Sequence, residues 1–255
     1  IIGANDHAFV TPHKFGYGMG KFGYQGPMMD FGNALEESQD KRGGRLVLDI
    51  LRGDQKLKAE MQLTTKYGSF SETYPFGCKK TDLILKETCA YLLKEQKPDG
   101  TWSDRPHINA FAALALLGSG DKEYLPAVKK AMQVMARDTT GKIQYGGLPC
   151  WDYGLYGIAL GEYYLTTREP WVLPELEEIN KWLALAQHPQ TAAPERVHIA
   201  GGFGHGPHSS KGGNGYGAFN VVTAQAMMAW ALMRRCGLSV DDRRFQAAHE
   251  FIAKG

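Results

Sequence analysis

The sequence predicts two folded pieces, a small α+β module followed by a larger all-α region built from helical hairpins. Two patterns predict this. Apolar residues alternate with period two as far as Leu63, then recur with a helical period from Thr81 onward. Within the helical part, almost wholly apolar segments take turns with amphipathic ones, at intervals long enough for one helix pair. The expected division is 1–66 for the α+β module, 67–79 for a linker, and 80–255 for the helices.

In the first piece, Leu46, Leu48 and Ile50 share one face of a strand. Leu57, Ala59, Met61 and Leu63 share one face of the next. Arg52-Gly53-Asp54-Gln55 between them predicts a β-hairpin with one buried face. Before the hairpin, Met29, Phe31, Ala34 and Leu35 predict a helix over 29–38, with Asp30 as its N-cap. Gly43-Gly44 returns the chain to the strand. Ile1-Ile2 reads as the middle of a strand and Phe251–Gly255 as a helix cut short, so both ends are expected to be truncations.

Seven helices are predicted beyond residue 80: Thr81–Gln96, Pro106–Leu117, Lys122–Arg137, Trp151–Thr166, Val172–Gln187, Ala218–Cys236 and Asp241–Lys254. The second, fourth and sixth are apolar nearly all round, which predicts burial on every side. The others carry one apolar stripe. An inner and an outer ring of helices has this alternation.

Composition excludes several functions. The net charge of +2, from 29 basic and 27 acidic residues, is too balanced for a nucleic-acid or membrane-surface partner. No apolar run has the roughly 20 residues of a membrane span. The sequence has no GxxxxGK[ST] phosphate loop, and Gly16-Tyr17-Gly18-Met19-Gly20 lacks the strand–turn–helix context of a dinucleotide site. Cys78, Cys89, Cys150 and Cys236 form no CxxC pair and read as buried thiols.

Two resemblances add to this. "IIGANDHAF", "GNALEES" and "GGRLVLDILRGDQKLKAEMQL" together resemble the second half of a bacterial protease-type PDZ domain. The carboxylate-binding loop of such a domain would lie upstream of Ile1. "QKPDGTW", residues 96–102, resembles the Gln-x-x-Asp-Gly-x-Trp motif of squalene–hopene cyclases and related terpenoid-cyclase and prenyltransferase α/α-toroids. That resemblance implies a partial toroid over about 80–255, with Gln96, Asp99, Gly100 and Trp102 as structural clamps between an outer and an inner helix. Links at 141–147 and 201–204 are degenerate versions. The PDZ–toroid combination also resembles uncharacterised bacterial proteins of a domain-of-unknown-function family.

In such a ring the cavity is lined by the starts of the inner helices, where unpaired N–H groups carry partial positive charge. The polar residues there are His107 and Asn109; Cys150, Trp151, Asp152, Tyr153 and Tyr156; and His205, His208, Asn214, Tyr216 and Asn220. Asp152, His205 and Tyr216 are the catalytic candidates. Trp151, Tyr153, Tyr156, His208, Asn214 and Asn220 are the ligand-binding ones. Terpenoid cyclisation is unsupported, because the Asp-rich DxDD of that family is absent. No metal or cofactor is expected. The alternative is a zinc set of Cys150, Asp152, His205 and His208, the types found in the prenyltransferases. Polysaccharide elimination by Tyr, His and Asn is a further option.

Two loops stand out. Lys14-Phe15-Gly16-Tyr17 recurs as Lys21-Phe22-Gly23-Tyr24, and 188–217 runs about thirty residues without periodicity. The expectation is an extracytoplasmic protein whose cleft binds a glycan, peptide or lipid-like ligand, with turnover of that ligand left open. The alternative is a non-catalytic peptide- or glycan-binding scaffold.

Overall fold

The structure is a computed structural model that describes residues 1–12, 26–139, 148–189, 199–207 and 217–254. The chain forms two compact units, Ile1–Thr88 and Cys89–Gly255. It has a small antiparallel sheet and, among the described residues, eight α-helices.

The first unit holds β1 (Gly3–Ala4), β2 (His7–Ala8), α1 (Pro27–Asp40), β3 (Arg45–Arg52) and β4 (Gln55–Gln62). The sheet order is β2-β1-β3-β4, antiparallel throughout. Arg52 pairs with Gln55, so Gly53-Asp54 is a two-residue turn, as the sequence implies. Leu46 and Leu48 are buried with Ala4 and Ala34, and Phe9, Phe31 and Leu63 pack around them. Leu57 and Met61 lie on the predicted face but are exposed. They belong to β4, the outermost strand, where no further strand adds cover.

Helix α1 starts earlier than the apolar pattern suggests. Gly26 is its N-cap at φ 145°, a backbone conformation that favours glycine, and Pro27 fills the first helical position, where no N–H is needed. Asp30 therefore sits in the first turn and is not the cap. Asn5, which the sequence reading passed over, ties the unit together. It is buried, donates Nδ2 to Ala34 O (3.0 Å) and Ser38 Oγ (2.9 Å), and accepts from Val47 N–H (3.1 Å). Lys80 is also buried; it pairs with Glu36 and lies over the Phe70 ring.

The second unit contains the end of α2 (Lys79–Glu95) and then α3 (Pro106–Gly118), α4 (Leu125–Thr139), α5 (Pro149–Thr167), α6 (Val172–Ala186), α7 (Asn220–Arg235) and α8 (Asp242–Lys254). A 3₁₀ turn, Lys122–Tyr124, leads into α4. Helix α5 is central, packing on α3 and α7 to either side and on α4 and α6. Each of α3, α5 and α7 also packs on the helix that follows it.

Close approach of α5 and α7 has a plain cause. Gly154, Gly157 and Gly161 recur along one face of α5, and Gln225, Ala229 and Leu232 of α7 press into that face. A Cβ on Gly157 would lie 2.7 Å from the Ala229 Cβ, and one on Gly161 2.9 Å from the Leu232 Cβ. The core around this seam includes Tyr163, Ile179, Leu183, Trp230 and Met233.

Burial on all sides holds for α5 only. Phe111 on α3 is 58% exposed, and Val221 and Met228 on α7 are each 57% exposed. Their apolar character marks faces that no described helix covers, because α3 and α7 each have α5 on one flank only.

An arrangement of hydrogen bonds occurs twice. Gln96 follows α2 and donates Nε2 to the carbonyls of Gly100 (3.1 Å) and Ala127 (2.9 Å). Gln187 follows α6 and donates Nε2 to the carbonyls of Gly201 (2.8 Å) and Arg244 (2.8 Å). Ala127 and Arg244 are each third in their helix. Both glycines have positive φ, 95° and 83°. A Cβ on Gly100 would meet the Lys130 carbonyl, and one on Gly201 the Ala247 carbonyl. Two residues after each glycine, an aromatic donates its backbone N–H to the fourth residue of the next helix. Trp102 donates to Asn109 Oδ1 (2.8 Å) and Phe203 to Thr223 Oγ1 (3.0 Å). The chain thus uses the same fastening to join α2 to α4 and α6 to α8.

Candidate functional site

The starts of α3, α5 and α7 form one connected group of side chains. Pro106 and Pro149 open α3 and α5, and neither helix, nor α7, has a side-chain cap among the described residues. That leaves the first turns to be completed by neighbouring loops. The Cys150 N–H of α5 is satisfied by the carbonyl of His205 at 3.1 Å.

His205 also acts through its ring. The Trp151 indole donates Nε1–H to His205 Nδ1 at 2.9 Å, and the two rings stack at 6.2 Å and 26°. An indole nitrogen can only donate, so Nδ1 must offer a lone pair. His205 therefore holds its proton on Nε2. The imidazole also meets Phe219, the N-cap of α7, at 4.7 Å. Gln225, one turn into α7, donates Nε2 to the Trp151 carbonyl at 2.6 Å. The loop at 205 and the starts of α5 and α7 are held together by these four contacts.

Asp152, the next residue on α5, turns the other way. Its Oδ1 lies 3.9 Å from His107 Nδ1 on α3, and both side chains are partly exposed to solvent. That is too long for a hydrogen bond and close enough for an ion pair when His107 is protonated. The carboxylate and imidazole come from separate helices, so only the packing of α3 on α5 brings them together.

The remaining predicted residues fall into distinct places. Tyr153 and Tyr156, expected to bind ligand, are buried. They are 6% and 4% exposed, and Tyr153 stacks on Trp182 of α6 at 4.3 Å and 11°. Both follow Trp151 on α5, where the helix has already turned into the core. Asn109 is committed to closing the start of α3. It accepts from the Trp102 and Ser103 N–H groups and donates to the Ser103 carbonyl. Asn220 is exposed at the first position of α7. Gln96 and Gly100 belong to the fastening described above. Trp102 donates its indole N–H to the Leu92 carbonyl at 2.7 Å, and Asp99 caps its own turn by accepting from Thr101. His208, Asn214 and Tyr216 lie outside the described residues, as do the 14–24 repeat, the link at 141–147 and much of 188–217.

Of the zinc alternative, His208 lies outside the described residues; burial pushes the Cys150 thiol up to about 12, and the Trp151 indole donates to His205 Nδ1. Among the described residues, no three His, Cys, Asp or Glu are grouped to hold a metal ion.

Phe219 and Gln225 were not singled out from the sequence, although they position His205 and Trp151. The spacing Gly154, Gly157, Gly161 is the available clue, since small residues on one face announce that another helix approaches there.

The fold and site thus define a small α+β unit followed by a helical region in which the starts of α3, α5 and α7 share a polar and aromatic cluster. A family profile, Domain of unknown function (DUF6288), matches residues 81–254, and the chain belongs to that family. No curated protein and no solved structure matches the chain. No helix among the described residues is long and apolar enough to cross a membrane.

Proposed function

We propose that the helical region is an arc of an α/α-toroid whose inner helix starts form a cleft that binds, and processes, a polymeric or lipid-like substrate. One observation carries this reading. The starts of α3 and α5 are linked by Asp152–His107, and those of α5 and α7 by Trp151–His205, His205–Phe219 and Gln225–Trp151, so titratable and aromatic groups gather where three helices start. Exposed Leu148 and Val221 beside them offer apolar contact. In this reading Asp152 works with His107, and His205 holds Trp151 in place.

The test is retention of ligands from glycan, peptide and lipid panels by the full chain, compared with Asp152→Ala and Trp151→Ala. Selective retention that both substitutions abolish is the expected result. A ligand held equally well by all three proteins would remove the site.

A second reading, a peptide-binding scaffold with a PDZ-like first unit, is favoured by one feature. A cavity of about 450 Å³ lies between β2 and α1, lined by His7, Val10, Thr11, Asp30, Asn33 and Glu37 among others. β2 is an edge strand, so its outer side could accept an added peptide strand. Asp30 and Glu37 favour a basic peptide. Asp30→Lys should weaken capture of such a peptide; unchanged capture would count against this groove.

A further inference from the structure

We infer that β4 is a docking edge for a second copy of this chain, the two strands running antiparallel about a two-fold axis through Ala59. This surface is separate from the cleft and does not depend on that reading.

Strand β4 ends the sheet at the side opposite β2. Its backbone groups fall into two sets. The Leu63 N–H bonds to the Gly44 carbonyl at 2.7 Å, so the odd-numbered residues of the strand turn their backbone toward β3. Lys56, Lys58, Glu60 and Gln62 turn theirs outward. Among the described residues, none bonds to those outward backbone groups. Every residue of β4 except Ala59 is exposed. The strand has eight residues and no proline, and it pairs with β3 without a bulge. Such an edge is a template for another strand.

Lysine commonly guards an edge of this kind, and β4 carries two. One register turns the guard into a match. With Ala59 opposite Ala59 of the second copy, Lys58 lies opposite Glu60 and Leu57 opposite Met61, and symmetry makes each pair occur twice. Outward-facing residues then meet outward-facing residues, Lys58 with Glu60 and Lys56 with Gln62, as antiparallel hydrogen bonding requires. Leu57 and Met61 fall at non-hydrogen-bonded positions, where opposed side chains come closest. Both are exposed on the sheet face that carries Leu46 and Leu48, so pairing extends that apolar layer across the join.

On the other face the charges alternate in sign. Within one chain Lys58 faces Asp49 at 3.6 Å, and Glu60 holds Arg45 at 2.7 Å. Across the axis the order becomes Asp49, Lys58, Glu60, Arg45, with the last two from the second copy. Neighbouring registers lose this match. Moving the axis to residue 58 sets Lys58 on Lys58, and moving it to residue 60 sets Glu60 on Glu60. An axis at residue 57 sets Lys56 on Lys58, and one at residue 61 loses the Lys58–Glu60 and Leu57–Met61 pairs. A strand that matches itself in one register, with like charges set against the adjacent ones, fits a second copy better than an unrelated chain.

The test is sedimentation equilibrium of the full chain, from micromolar to near-millimolar concentration. The parent should show a reversible monomer–dimer equilibrium. Lys58→Glu or Glu60→Lys sets like charges opposite each other twice and should weaken the dimer about tenfold or more. In an equimolar mixture of these two variants, each altered residue faces the other, so dimerisation should return to near the parent's strength. A variant that had only lost its fold would gain nothing from mixing. Leu185→Asp, on the exposed face of α6, should leave the dimer unchanged. A parent that stays monomeric throughout, or a mixture no tighter than either variant alone, would overturn the inference. So would a dimer indifferent to both charge changes, which would place the contact on another face.

Discussion

Trp151 and His205, fifty-four residues apart, share a hydrogen bond from the indole Nε1–H to the imidazole Nδ1 at 2.9 Å. Removing the acceptor leaves a half-buried indole N–H unpaired. His205→Ala should therefore cost about 1–3 kcal/mol, read as a lower urea midpoint. Nitrogen NMR of the parent should assign the His205 proton to Nε2. A protein as stable as the parent would mean that water replaces the bond without penalty.

The Gln96 and Gln187 fastenings should differ in weight. Gln187 and Gly201 are buried, so Gln187→Ala strands the Gly201 carbonyl away from water and takes a donor from that of Arg244. A loss of about 1–3 kcal/mol is expected. Gln96 is half-buried, as is its partner Ala127, so Gln96→Ala should cost less. Chemical denaturation of the two variants checks the order, and equal losses would contradict it.

Glycine substitutions should separate packing from propensity. Gly157→Ala forces a methyl to within 2.7 Å of the Ala229 Cβ and should destabilise by about 1–3 kcal/mol. Gly32 lies in α1, and a Cβ there would meet nothing within 4 Å. Gly32→Ala should stabilise by roughly 0.5–1 kcal/mol, the helix propensity difference. Thermal unfolding of both variants tests the opposite signs.

Two cysteines should give stability opposite slopes with pH. Thr81 and the Ser71 amide, which donates to Sγ at 3.4 Å, draw the Cys78 thiol down to about 6. Between there and the ordinary thiol range, the folded chain binds fewer protons than the unfolded one at this site, so stability rises with pH. It is lost as pH falls through about 6. Burial pushes Cys150 up to about 12, so above the ordinary thiol range the unfolded chain is the one that releases its proton, and stability declines. Urea midpoints across this range should rise and then fall. Cys78→Ser should flatten the rise, and Cys150→Ala should flatten the decline.

Much of the architecture is legible in the residues. The Gly53-Asp54 turn, the flanking strands and the seven later helices appear where period two gives way to a helical period. The start of α3 is marked by Pro106, which suits a first helical position, whereas α5 begins at Pro149, ahead of the Trp151 that the apolar pattern gives. Less legible is what covers each apolar face. Phe111 and Tyr156 both read as interior or ligand-facing from their helices, yet one is exposed and the other buried. Periodicity reports that a face is apolar, not which neighbour meets it.

By itself, then, the sequence determined the elements, their order and the gathering of polar residues at three helix starts, because these depend on local spacing and turn chemistry. Tertiary structure alone decided that Asp152 meets His107, that His205 serves Trp151, and that Gln187 repeats the role of Gln96. Each of those contacts joins residues far apart in the chain. Helix packing across the glycine seam and the loop at 199–207 sets their distances, and no spacing rule along the sequence encodes them.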